Sequence, residues 1–140
     1  EEYNIKKIYP SMLNLEIKST KFIAKISGSN HLFIGSNGKI IKNEKIHKVL
    51  PYIFGKFKTK EFLEFKKNIE FSQFRFEDLK SIFFYPSSRW DILIKGDILI
   101  KLPQDDLLKS LNFANKILAN NAFKDKKLID LRIKNNLIIK

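Results

Sequence analysis

An α+β fold is what this sequence predicts, mostly antiparallel β-hairpins with two helices packed on one face of the sheet. Three observations carry that expectation. Short apolar runs at strand period recur along the chain, separated by Gly, Pro, Asn and Asp turn signals. Two longer segments switch to helical period. A core is also available, because 44% of the 140 residues are hydrophobic and 13 are phenylalanine, enough for one domain to bury roughly 68% of its unfolded surface.

Residues 4–26 read as extended, with Pro10-Ser11 turning the chain and Leu13, Leu15 and Ile17 alternating with Asn14, Glu16 and Lys18. Leu32-Phe33-Ile34 and Lys39-Ile40-Ile41 flank Gly35-Ser36-Asn37-Gly38, whose Asn-Gly step predicts a tight hairpin because both positions tolerate positive φ. Residues 59–70 place Phe62, Phe65 and Ile69 on one helical face, with Thr59 as the helix cap. Residues 79–85 are nearly continuously apolar, Pro86-Ser87-Ser88 breaks the run, and Arg89-Trp90-Asp91-Ile92-Leu93-Ile94 resumes it. Gly96-Asp97 then turns the chain into Ile98-Leu99-Ile100-Lys101-Leu102. The second helix follows Pro103, with Asp105 and Asp106 in its first turn and a buried stripe of Leu107, Leu108, Leu111, Ala114, Ile117 and Leu118. Asn120-Asn121 ends it. Residues 128–133 read as a strand that turns at Lys134-Asn135-Asn136 into a last strand, residues 137–139.

Lys and Arg outnumber Asp and Glu by 27 to 15, a net charge of +12, which permits an acidic partner such as nucleic acid or an anionic membrane. The lysines recur singly or in pairs, as in Lys6-Lys7, Lys66-Lys67 and Lys126-Lys127, never in the run that marks a basic tail. A solvated basic surface explains the charge better than a nucleic-acid face. The absence of cysteine excludes disulfides, thiolate nucleophiles and cysteine-ligated zinc. No apolar stretch approaches the roughly 20 residues of a membrane span, and Glu1-Glu2 is unlike the basic start of a signal peptide. Any anchor is expected outside these residues.

Few residues offer chemistry. His31 and His47 have no Cys, Asp or Glu at metal-ligand spacing. Gly35-Ser36-Asn37-Gly38-Lys39 lacks the spacing and the Ser or Thr of a phosphate loop, and its strand-like flanks are unlike the helices around an RNA-clamping loop. Trp90 and the phenylalanines lie within apolar runs, so burial accounts for them better than base stacking. Asp91 and Asp130 resemble an acid–base pair less than two ion pairs, with Arg89 and Arg132 as near neighbours in sequence. No catalytic signature is present, and neither enzyme activity nor a metal or other cofactor is expected. The last strand is more informative, since an apolar strand at a terminus tends to lie at a sheet edge and can accept a partner's strand. An interior strand, or one cut by the end of the sequence, is the alternative.

One stretch has a wider resemblance. Ser88-Arg89-Trp90-Asp91-Ile92-Leu93-Ile94-Lys95-Gly96-Asp97-Ile98-Leu99-Ile100-Lys101-Leu102-Pro103 resembles a segment of the FtsQ/DivIB cell-division proteins. Downstream, the helix after Asp105 and then Ile129-Asp130-Leu131-Arg132 resemble that family's helix and I-D-L-R strand. Upstream, Tyr9-Pro10-Ser11-Met12-Leu13-Asn14-Leu15-Glu16-Ile17 resembles the segment closing its POTRA domain. The resemblance implies a single-pass inner-membrane protein with periplasmic POTRA and β domains, residues 1–27 being the last POTRA strands and 28–140 the β domain. It implies a division-site scaffold that binds FtsB-like and FtsL-like partners, with other divisome proteins meeting the POTRA part. The docking residues would be Arg132, Ile133, Asn135, Asn136, Leu137, Ile138 and Ile139, with Arg132 pairing a partner carboxylate. Strand addition at this segment would be blocked by Ile138→Pro, which removes a backbone donor. A basic nucleic-acid-binding module is the alternative function.

Overall fold

The computed structural model describes residues 2–8, 12–18, 20–29, 31–44, 48–123, 125–133 and 137–140. Among them, β1 (Glu2–Ile8) and β2 (Met12–Lys18) form a two-stranded antiparallel sheet, Ile8 opposite Met12. The turn expected at Pro10-Ser11 lies outside the described residues. A second sheet contains β3 (Phe22–Ile26), β4 (Leu32–Gly35), β5 (Ile40–Lys42), β6 (Tyr52–Phe54), β7 (Leu79–Tyr85), β8 (Arg89–Ile94), β9 (Ile98–Lys101), β10 (Leu128–Asp130) and β11 (Ile138–Ile139). Its spatial order is β11-β10-β9-β8-β7-β6-β3-β4-β5. The pairs β3–β6, β6–β7 and β9–β10 are parallel, and the others are antiparallel.

The sequence reading grouped β3 with the strands ending at Ser27. In the structure β3 is hydrogen-bonded into the large sheet, with the Lys25 N–H on the Pro51 carbonyl and the Ser27 N–H on the Ile53 carbonyl, both at 2.8 Å. The reason is packing. Ala24 is fully buried in the core beneath the helices, and Phe22 meets Phe33 at 5.6 Å.

Helix α1 (Thr59–Phe71) joins β6 to β7, and α2 (Leu107–Leu118) joins β9 to β10. Parallel neighbours need such crossovers, and these are right-handed almost without exception. β7, β8 and β9 alternate in direction, so β6 and β9 point the same way, and both crossovers step the same way along the sheet. Two right-handed crossovers of that kind must lie on one face. Their apolar stripes, Phe62, Phe65 and Ile69 on α1 and Leu111, Ala114 and Ile117 on α2, bury against Ile53, Ile82, Phe84, Trp90, Ile92, Ile100 and Ile129 of the sheet. Trp90 stacks on Phe65 at 4.5 Å, which makes it a core residue.

Local details depart from the sequence reading where side chains compete with backbone. At the start of α1, Lys58 is the cap residue and its N–H donates to the Glu61 carboxylate at 2.6 Å, so Thr59 begins the helix without capping it. Asp106 occupies the cap position of α2 at φ 55°, and neither it nor Asp105 lies in the first turn. In the β4–β5 loop only Gly38 has positive φ (78°). Its N–H closes on Gly35, while Asn37 uses its side chain to accept from the Lys39 N–H and to donate to Thr20. The two-residue turn with both φ positive is instead Gly96-Asp97 (88° and 62°). β10 is shorter than the strand predicted over 128–133, because the Asp130 carboxylate turns back to accept from the Arg132 N–H at 3.1 Å.

Gly55, at φ 100°, follows β6 where an added Cβ would fall 2.1 Å from the Phe84 carbonyl oxygen of β7. Gly55→Ala should therefore lower stability by about 2 kcal/mol or more, from left-handed strain and displaced backbone together. Thermal denaturation of the variant beside the parent measures this.

Candidate partner-binding edge

β11 is the end strand of the sheet, and its pairing decides which backbone groups are available. Lys140 and Leu128 exchange both hydrogen bonds, at 3.1 Å and 2.9 Å. The next opposed pairs are Ile129 with Ile139 and Asp130 with Ile138. Antiparallel ladders alternate bonded and non-bonded pairs, so Ile138 bonds inward to β10 while the N–H and C=O of Ile139 face away from it, onto the edge. Leu137 shares the outward parity. The side chains divide the opposite way, Ile139 packing toward the helix-side core and Ile138 standing in line with Asp130 on the other face.

That other face carries a charged row. Register places Asp91, Lys101 and Asp130 side by side across β8, β9 and β10. Asp91 is fully buried there and accepts from Arg89 at 3.2 Å and from the Leu102 N–H, also at 3.2 Å. Its carboxylate thus takes over the backbone donor just past the end of β9. Burial pushes the Asp91 carboxyl above its usual range, against the pull of Arg89, the Leu102 N–H and Arg132. Asp130 behaves oppositely. The Arg132 guanidinium grips it through Nε and Nη2 at 2.8 Å and 2.6 Å and holds its carboxyl below the usual range. These are the structural ion pairs expected from sequence.

The predicted docking residues therefore separate into kinds. Arg132 is half-exposed and spends two of its nitrogens on Asp130. Ile133 is 58% exposed and Leu137 is 38% exposed, while Ile138 and Ile139 are half-buried. Asn135 and Asn136 lie outside the described residues, as do the turn at Lys134-Asn135-Asn136 and His47. His31 is exposed, and among the described residues no group of His, Asp or Glu could hold a metal ion. Sequence reasoning missed the parity of the strand. Ile138→Pro would strike the internal ladder, and Ile139 is the residue whose donor faces out.

The family model described as cell division protein FtsQ/DivIB, C-terminal, matches residues 24–132. Its match runs from β3 to Arg132 and stops short of β11. Among solved structures, the chain is similar to the major extracytoplasmic domain of the trans isomer of the cell-division protein DivIB from Geobacillus stearothermophilus. The identity is 14%, the TM-score is 0.51, and the similarity covers 73% of this chain and 93% of that one. No curated protein sequence matches.

The two aspartates make opposite contributions to acid stability. Asp130, with its folded pKa depressed, contributes stability that is present above the ordinary aspartate pKa and lost as pH falls through the depressed value. Asp91, with its folded pKa raised, favours the fold while protonated and loses that contribution as pH rises through the raised value. Asp130→Asn should therefore lose less stability on acidification than the parent when urea midpoints are compared from about pH 6 down to about pH 3. An unchanged acid limb would contradict this assignment.

Proposed function

The chain belongs to the FtsQ/DivIB family of cell-division proteins, and from that membership we propose that it is a non-enzymatic scaffold that binds FtsB-like and FtsL-like partners by accepting a strand on β11. The observation that carries the reading is the outward N–H and C=O of Ile139 on an end strand. Main-chain bonds along this edge supply affinity, and the exposed Ile133 and Leu137 with Arg132 supply side-chain selectivity. Arg132 adds a positive charge beside the edge even while it holds Asp130, so an incoming carboxylate is drawn to it.

The proposal sets the chain on the periplasmic side of the inner membrane at the division site, tethered by a transmembrane helix outside these residues. The similar solved domain, which is extracytoplasmic, supports this placement. Among the described residues no helix is long and apolar enough to cross a membrane. The β1–β2 sheet is proposed as the end of a POTRA domain that meets other divisome proteins, with the β domain beginning before β3. The alternative of a nucleic-acid-binding module rests on the +12 charge alone, since Trp90 and several phenylalanines are committed to the core.

Calorimetric titration with a peptide from the periplasmic C-terminal half of the FtsB-like protein of the same organism tests the reading. The parent should bind saturably. Ile139→Pro should keep its circular dichroism and weaken binding at least about tenfold, about 1.4 kcal/mol, whereas Ile138→Pro should also fray β10–β11. Equal binding by Ile139→Pro and the parent would contradict strand addition.

A further inference from the structure

A second surface lies away from that edge, on the face of the large sheet that the helices leave bare. There Tyr52 and Phe54 of β6 and Phe83 and Tyr85 of β7 form one patch. Phe54 stands opposite Phe83 with their rings stacked at 5.0 Å, and Tyr52, Phe54 and Tyr85 are 45%, 36% and 36% exposed. Cations close its two ends. Lys25 Nζ sits 5.6 Å over the Tyr52 ring, and the Arg89 guanidinium sits 4.4 Å over Tyr85. β6 has parallel neighbours on both sides, an arrangement that is ordinarily covered on both faces. Here, among the described residues, the helices cover one face and Tyr52, Phe54 and Tyr85 are exposed on the other.

We propose that this patch docks an amphipathic helix of an acidic polypeptide, whose apolar stripe covers Phe54 and Phe83 and whose carboxylates meet Lys25 and Arg89. Charge complementarity selects that occupant. The carboxylate next to the patch, Asp91, is fully buried and already held by Arg89 and the Leu102 N–H, so the patch presents cations and no available anion among the described residues. A second copy of a chain with net charge +12 is repelled. Flat ligands such as nucleobases or sugar rings find the tyrosine faces taken by cations and the two phenylalanines stacked on each other, whereas aliphatic side chains pack around ring edges. Lys25 and Arg89 are three strand spacings apart and offset by four residues along the strands, a diagonal on the order of 20 Å. A helix spans that in about 13 residues, which sets the separation of the acidic groups in the partner.

This inference goes beyond strand addition and does not depend on it, since β9 and β10 lie between Arg89, at the near end of the patch, and β11. The photo-crosslinker p-benzoylphenylalanine is placed at position 54 of the full-length protein in dividing cells, with position 71 on the exposed side of α1 as control, and adducts are mapped by mass spectrometry. The expected adduct, at 54 only, is an acidic amphipathic segment of another polypeptide. A synthetic peptide of that segment should bind the purified protein, weaken at least about tenfold with Lys25→Glu and with Phe54→Ser, and be unaffected by Ile139→Pro. Thermal denaturation confirms that both variants fold. An adduct with lipid, glycan, nucleic acid or a second copy, no adduct at 54, or peptide binding indifferent to both variants would overturn the proposal.

Discussion

β6 and β7 lie side by side and run parallel, as do β9 and β10, so each pair has to be joined by chain that climbs over the sheet. Right-handedness and the common direction of the two steps then leave α1 and α2 no choice of face. The rest follows from that. The core is one-sided, with Phe62, Phe65, Leu111 and Ile117 closing over Ile53, Ile82, Trp90 and Ile100, and truncating one of these side chains to alanine costs about 2–5 kcal/mol. The opposite face is free to carry ions and exposed aromatics, and among the described residues β11 is the end strand of the sheet.

The row Asp91, Lys101 and Asp130 shows how the bare face is kept in register. A fully buried carboxylate is costly unless paired and hydrogen-bonded, and Asp91 meets both conditions through Arg89 and the Leu102 N–H. It thereby ties the end of β9 to β8. Asp130 performs the matching task at the end of β10, where its grip on Arg132 terminates the strand. The R-W-D and D-L-R triplets thus read as two strand-end locks. Trp90 faces the helices while its flanking charges face the other way.

Much of this was legible in the sequence, and the failures have physical causes. Helical period gave α1 within a residue and the body of α2, whose start lies about three residues later than expected, and the turn residues gave the hairpins at Gly35–Gly38 and Gly96-Asp97. The parallel pairings were not legible, because short apolar strands such as β6 and β10 carry no mark of direction. Nor was the place of β3, whose partners β4 and β6 are set by packing around Ala24 and Phe33. For the candidate edge, composition indicated a terminal strand, and the structure supplied what composition cannot: β11 ends the sheet and Ile139 bears the outward groups. Asp91 was recognised as an ion-pair residue, while its bond to the Leu102 N–H depends on a register that only the folded sheet defines.

Among the described residues β11 is an end strand whose backbone groups alternate between inward and outward roles. Residue-resolved amide exchange, followed by nuclear magnetic resonance on the free protein and then with the FtsB-like peptide, measures that alternation. A slow Ile138 amide and a fast Ile139 amide are expected in the free protein, with Ile139 becoming protected on peptide addition. Equal exchange at the two positions, or peptide-induced protection that bypasses Ile139, would contradict it.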